Sequence, residues 1–360
     1  MMAVRSRTSS ALLVPLFALL LLITIGARGC QTRNGEELRA LLQQHIDALD
    51  TVVIRALETH IFYPDPELDG GQEAQISRLV IRKGSLTLGI ASYSHIEPIS
   101  RWKSDSSTAF DPGTGEEIYA DLWSFDVLDL DRLVENYRAQ KLRENVDWDG
   151  RLGTEYALLP IGRFGPSFRL TIDCDTGIIV RALLLDESGR RERLSSLRDL
   201  AILDNVPVEL ATRLERQAQA EVRRNRAREE SLLGPDDVRQ IIPDFDLPEE
   251  LPSGYGRREM RRFVDARSVH GVIGEYTDGV LRLSVVALPH HGMSSADILG
   301  VTAGFSDGGV TARESLPIFR QSVRQGGLTT FKSLSPPVDL MIVTHLPDAN
   351  VGAVFEAIGR

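Results

Sequence analysis

The pattern of apolar and polar positions is clearest between Phe168 and Leu200. Two short apolar runs, Phe168–Ile172 and Ile178–Leu185, flank the turn Asp173-Cys174-Asp175-Thr176-Gly177. Gly177 supplies the positive φ such a turn needs, and Asp175 can bond the backbone ahead of it. A second turn, Asp186–Gly189, leads into an alternating stretch toward Leu200. This spacing predicts an antiparallel meander. Ile76–Arg82 and Leu86–Tyr93 alternate around Lys83-Gly84 and predict a hairpin, and Trp148–Leu159 adds strand to the same sheet.

Helical spacing appears twice in this first half. Leu38, Leu41, Leu42, Ile46, Leu49, Val52, Val53 and Ala56 form one stripe and predict a helix over Glu36–Ala56. Leu128–Leu142 predicts a second, with Leu130, Leu133, Val134, Tyr137 and Leu142 inward. After Pro207 the composition shifts to arginine, glutamate and glutamine, with only Ala211, Leu214, Ala218 and Val222 as a thin apolar stripe. That is a solvated helical arm, or a partner-binding one that presents Arg223, Arg224, Arg226 and Arg228. Pro235, Pro243 and Pro248 then punctuate a linker.

The last third starts at Leu251-Pro252-Ser253-Gly254-Tyr255. Arg261–Val264 reads as a strand, and Gly274–Tyr276 with Val280–Leu288 as a hairpin across Thr277-Asp278-Gly279. Ser315–Gln325 is expected to be helical and Val338–Thr344 a buried strand. Asp348–Ile358 reads as a closing helix with Val351, Val354, Phe355 and Ile358 on one face. The fold class is therefore α+β.

Composition fits a folded protein: 42% hydrophobic and 26% charged over 360 residues, long enough for two domains. A net charge of −10 argues against nucleic acid as the partner. Arg5 and Arg7 precede an apolar stretch, Ala11–Ala27, which reads as an export signal or anchor over 1–30. Ala27-Arg28-Gly29-Cys30 partly resembles a bacterial lipobox, making Cys30 a candidate for lipidation; cleavage, lipidation and retention all stay open. Cys30 and Cys174 are the only cysteines, so no disulfide framework is expected.

Catalytic signatures are missing. The chain has no GxSxG, phosphate loop or dinucleotide fingerprint, and no CxxC or HExxH spacing for a metal. His290, His291 and Met293 read as a polar loop tip, His345 with Asp348 as a turn and helix cap, and His45 and His60 as packing residues. Cys174 lies between two aspartates, whose charge works against a reactive thiolate. The chain reads as a non-enzyme with no cofactor and no metal.

The order of segments resembles the MucB/RseB family of bacterial periplasmic regulators of the envelope-stress sigma factor. The stretches that carry the resemblance are Gly153-Thr154-Glu155-Tyr156 through Phe168–Asp173 with Thr176-Gly177, and Arg181–Asp186 with Gly189-Arg190. In the last third they are Leu251–Tyr255, Tyr276–Val280, Leu283–Val286 and Met341–Ile358. Residues 57–123 match loosely, and 293–318 stands as an insertion. The resemblance implies a LolA-like domain over 31–205, a half-open antiparallel β-barrel wrapped on helices around an apolar cavity. A helical arm and proline-containing linker over 206–248 would follow, then a small sandwich-type α/β domain over 249–360. It implies binding to the periplasmic part of a membrane anti-sigma factor, with lipid in the cavity releasing that contact. A periplasmic carrier or chaperone for lipoprotein or lipid is the alternative. The protein would be exported, tethered through its N-terminal segment or lipidated Cys30, or free.

A docking face can be drawn in the last domain. Strand Val280–Leu288 would turn Leu281, Leu283, Val285 and Ala287 toward the closing helix, leaving Arg282, Ser284 and Val286 outside near Arg257, Arg258, Arg261 and Arg262. Such a basic surface suits an acidic peptide, because arginine forks grip carboxylates in pairs. An ordinary solvated face is the alternative reading.

Overall fold

A computed structural model describes residues 35–63, 74–84, 86–94, 110–111, 116–117, 125, 127–162, 165–264, 269–289, 318–321, 329–335, 338–344 and 348–358. Strands dominate, and among the described residues they form two large antiparallel sheets and one two-stranded ribbon. A helix, α1, covers 35–51 and ends where Val52-Val53-Ile54 begins. Consecutive β-branched side chains favour extended backbone, so the helix expected to reach Ala56 stops short. β1 (Val53–Phe62) starts there instead.

β2 (Ala74–Lys83) and β3 (Leu86–Ser94) make the expected hairpin. β4 (Phe110–Asp111) and β5 (Glu116–Glu117) pair as a separate small ribbon. A short helix, α2, spans only Leu130–Asn136, capped by Asp129, whose side chain accepts from Arg132 N at 3.0 Å. The expectation of helix to Leu142 fails because Tyr137 onward pairs with the next strand. β6 (Tyr137–Trp148) and β7 (Arg151–Pro160) form a long hairpin. β8 (Ser167–Asp173), β9 (Ile179–Leu185) and β10 (Arg191–Leu203) are the meander read from sequence. The eight long strands are ordered β3-β2-β1-β10-β9-β8-β7-β6.

This sheet is curled. Trp148, at the tip of the β6–β7 hairpin, reaches the non-neighbouring β10, where its Nε1 donates to Leu197 O at 3.0 Å. Arg181 and Arg198 lie 5.4 and 5.8 Å from its ring centroid. One face carries α1: Leu38 and Leu42 pack with Leu158, Phe168, Leu170, Ala182 and Leu184. His45 on α1 accepts from Ile179 N at 3.1 Å, which fixes the helix against β9.

Helix α3 (Val208–Glu230) is the charged arm; Leu214 is buried, whereas Val222 and Arg223 are exposed. The stretch read as a linker then differs from expectation. It contains helix α4 (Pro235–Ile241), and Val238, Ile242, Phe245 and Leu247 enter the core of the second sheet. Leu233 N also bonds Met260 O, so this segment lines a strand edge.

The second sheet contains β11 (Glu250–Leu251), β12 (Tyr255–Val264), β13 (His270–Thr277), β14 (Arg282–Pro289), β15 (Ile318–Gln321), β16 (Thr329–Ser335) and β17 (Val338–Thr344). Their order is β11-β12-β13-β14-β17-β16-β15. Ile318–Gln321 is strand rather than helix, because it pairs antiparallel with β16. Helix α5 (Asp348–Ile358) buries Val351, Val354, Phe355 and Ile358, as its pattern predicts.

Limited trypsin digestion should distinguish α3 from α4. Cleavage is expected at exposed Arg223 and Arg226 in the arm, whereas residues 235–247 stay protected by their buried side chains. Early cutting after Arg239, read by mass spectrometry, would contradict the packing of α4.

Candidate functional site

The two sheets meet at a seam built from α2 and the Thr277-Asp278-Gly279 turn between β13 and β14. Gly279 has φ +113°, and a Cβ there would stand 2.5 Å from Leu133 Cα, so only glycine lets the turn reach the helix. Its carbonyl accepts from Leu128 N at 2.9 Å and Asp129 N at 3.2 Å. Asn136, at the end of α2, donates to Gly254 O and Asp278 O, both at 2.9 Å. Tyr137 OH donates to Asp278 Oδ2 at 2.6 Å, and Asp278 Oδ1 accepts from Val280 N and Leu281 N.

Electrostatically the seam is a buried acid–phenol pair. Burial pushes Asp278 above its ordinary range, opposed by the hydrogen bonds from Tyr137 and the turn backbone. Burial, then the Asp278 charge, pushes Tyr137 well above its ordinary range, and Tyr255 rises for the same two reasons. The core is continuous across this contact, with Leu133 and Tyr137 in the same cluster as Tyr255, Tyr276 and Val280.

The arginines proposed as a docking face do not share one surface. Arg261 is buried: its Nε lies 2.9 Å from Glu259 Oε1, and its Nη2 donates to Glu275 Oε1 at 3.2 Å. Ser284 donates to the other Glu275 oxygen at 2.9 Å. Arg257 is half-buried and donates to Leu247 O. Arg258, Arg262 and Arg282 are exposed. Ser284 and Val286, expected outside, are buried too, since both faces of β14 are covered. Cys30, His290, His291, Met293 and His345 lie outside the described residues.

A cavity of about 30 Å³ is lined by His45, Leu49, Glu58, Ser195 and Leu197 among others, space for a water or two. Its wall is partly polar. Glu58, His60, Arg193 and Ser195 are all buried on the first sheet. Of these, the sequence suggests only His60, and that as a packing residue. The signal available was alternation: Arg193, Ser195 and Leu197 fall on one side of a strand. Cys174 is exposed. Among the described residues no group of acids, histidines and cysteines could hold a metal, and no helix is long and apolar enough to cross a membrane.

No family model matches the chain, and no curated protein matches it by sequence. Solved structures do. A structure titled as the complex of Pseudomonas aeruginosa MucA/MucB overlaps 88% of this chain and 96% of its own at 15% identity and a TM-score of 0.50. MucB bound to periplasmic MucA gives the same coverage at 14% identity and 0.49. A putative outer-membrane lipoprotein-sorting domain from Vibrio parahaemolyticus aligns with 53% of this chain and 100% of its own at 13% identity and only 0.23. The first likeness shows a shared fold; the other two overlaps are too loose to add to it.

Tyr137→Phe removes the donor to a buried carboxylate and should lower stability by about 2 kcal/mol at neutral pH. The folded pKa of Asp278 lies above its ordinary 3.8. Stability from its protonated form is therefore complete below 3.8 and lost as pH rises through the raised value. Losing the Tyr137 bond, which favours the charged form, raises that pKa further. The penalty of Tyr137→Phe should thus shrink as pH falls from neutrality toward the raised pKa. A penalty that stays constant in denaturant titrations across this range would rule out such a linkage. In the second sheet, Arg261→Met leaves Glu259 and Glu275 without their buried partner and should lower stability by about 3 kcal/mol. Reversing exposed Arg258 and Arg262 to glutamate should change it by less than about 0.5 kcal/mol. The same unfolding curves test both.

Proposed function

We propose that this chain is a non-enzymatic regulatory protein of the bacterial envelope. It is exported through its first 30 residues and binds the periplasmic part of a membrane anti-sigma factor or a similar membrane partner. It senses lipid beneath α1. Cleavage of the signal, its retention, or lipidation at Cys30 sets whether the protein is free or tethered. In this reading 31–205 is the ligand-sensing unit, 206–248 the arm and connection, and 249–360 the partner-docking unit.

The observation that carries this reading is the seam, taken with the extent of the fold likeness. The overlap with the MucA/MucB structure runs through both sheets, at 88% of the chain. Within the chain, a buried hydrogen bond from Tyr137 and two part-buried ones from Asn136 hold the second sheet against the first. A carrier of lipoprotein or lipid, the second reading, needs only a sheet that shelters cargo. It gives no reason to fix a second sheet so firmly to the first. The partner chemistry remains that of an acidic segment, now assigned to the exposed arginines Arg258, Arg262 and Arg282 rather than to all five.

The test is a pull-down with residues 31–360 and the periplasmic part of a membrane anti-sigma factor from the same organism. Binding is expected to weaken as salt rises, and Arg258→Glu with Arg262→Glu should reduce it at least tenfold while the fold survives. Native mass spectrometry after gentle extraction adds the lipid arm. Failure to bind that anti-sigma factor, with lipid still carried, would favour the carrier instead.

A further inference from the structure

On the α1-bearing face of the first sheet, one side chain is buried without the partners its chemistry demands, beside a second whose one polar neighbour is a carboxylate 3.5 Å away. Arg193, on β10, is 1% exposed, and none of its three guanidinium nitrogens has a hydrogen-bond partner. His60, on β1, is equally buried, and both of its ring nitrogens lack one too. In the antiparallel pairing of these strands Phe62 stands opposite Arg193 and His60 opposite Ser195. The arginine and histidine are therefore diagonal neighbours on one face. On the other flank Leu184 stands opposite Arg193, and Phe168 opposite Leu184; both are buried. The unbonded guanidinium thus stands with buried Leu184 on one flank and His60 on the other.

The nearest acid across the face is already engaged. Glu58 accepts from Arg78 Nε at 2.5 Å, and its other oxygen lies 3.5 Å from His60 Nε2. Burial alone would push Glu58 up, but His60 and Arg78 outweigh it and hold the carboxyl at about 2. Glu192, next to Arg193 in the chain and half-buried, eases the arginine's charge without bonding it. Burial pulls Arg193 down only to about 10, so it stays charged at neutral pH. Leaving a buried guanidinium uncompensated costs several kcal/mol. A sheet built only to pack against α1 would place leucine there.

We propose that Arg193, with His60 beside it, holds the anionic head of an amphiphilic ligand, a carboxylate or phosphate, whose apolar chain lies toward Leu184 and Phe168. This deepens the lipid-sensing part of the proposed function and rests on it. The planar fork of arginine matches both head groups, and histidine adds a further donor. Leu184 and Phe168 pack in one cluster with Leu38 and Leu42 of α1, so a chain lying against them displaces that helix from the sheet.

The experiment is calorimetric titration of residues 31–360 with dodecanoate, monododecyl phosphate, uncharged dodecanol and inorganic phosphate. The two anionic amphiphiles are expected to bind at least tenfold more tightly than dodecanol. Arg193→Met should remove that preference while leaving dodecanol affinity unchanged, and Arg193→Lys should fall between them. Inorganic phosphate binding as tightly as the dodecyl ester, and lost with Arg193→Met, would support the anion site and assign it to a free anion. Equal affinities of wild type and Arg193→Met for every amphiphile would overturn the role of Arg193 and leave the lipid-sensing reading standing. Binding of no amphiphile, dodecanol included, would overturn both. Thermal melts of the wild type keep the test independent of variant folding: dodecanoate should raise the midpoint further than dodecanol at the same concentration, because a native-state ligand stabilises more the tighter it binds. Equal shifts would count against the proposal.

Discussion

The contact on which the structure depends is the approach of Gly279 to the backbone of Leu133. No side chain fits between that turn and helix α2. This closeness lets Tyr137 and Asn136 reach Asp278 and the Gly254 carbonyl. A two-sheet protein joined by a charged arm is expected to hinge, because interdomain contacts are commonly polar and small. Here the join is buried, and its carboxylate is satisfied by one phenol and two backbone amides. Opening it exposes a buried acid and strands several donors, a penalty that favours one relative arrangement of the sheets.

The same logic separates the two kinds of buried charge in this chain. Arg261 is buried with Glu259 and Glu275 beside it, and Glu275 is satisfied further by Ser284. Such a group holds a sheet in register, since sliding either strand would leave an unpaired charge inside. Arg193 is buried as deeply and has no such partner. A structural explanation therefore covers the first arginine and not the second.

Local chemistry made much of the fold legible. The β8–β9–β10 meander follows from the Asp173–Gly177 turn, in which Asp173 accepts from Thr176 N and Oγ1, and from the Asp186–Gly189 turn that precedes β10. The β2–β3 hairpin and helix α5 followed from alternation and periodicity alone. What failed was set by distant partners. Residues 137–142 have a helical stripe, yet pairing with β7 makes them strand. Pro235, Pro243 and Pro248 suggested a bare linker, but Pro235 opens a helix whose Val238 finds the second core. The docking face was misdrawn because alternation says which side of a strand a residue takes, and not whether that side is covered. For His60 and Arg193 the pattern was readable, but the arginine's lack of partners was not, since that is a property of the folded neighbourhood.

The candidate ligand face and the seam are also physically continuous. Leu184 stands opposite Arg193, and Phe168 opposite Leu184. Phe168 meets the Tyr137 ring edge-on at 5.6 Å, and Tyr137 ends in the hydrogen bond to Asp278. Each member of this series is buried, and close-packed interiors transmit displacement instead of absorbing it. Contiguity alone is not coupling; that requires an element with two arrangements, each favoured at one end. Tyr137 is the residue that belongs to both ends. Its ring belongs to the packing of the first sheet, and its hydroxyl to the fixing of the second.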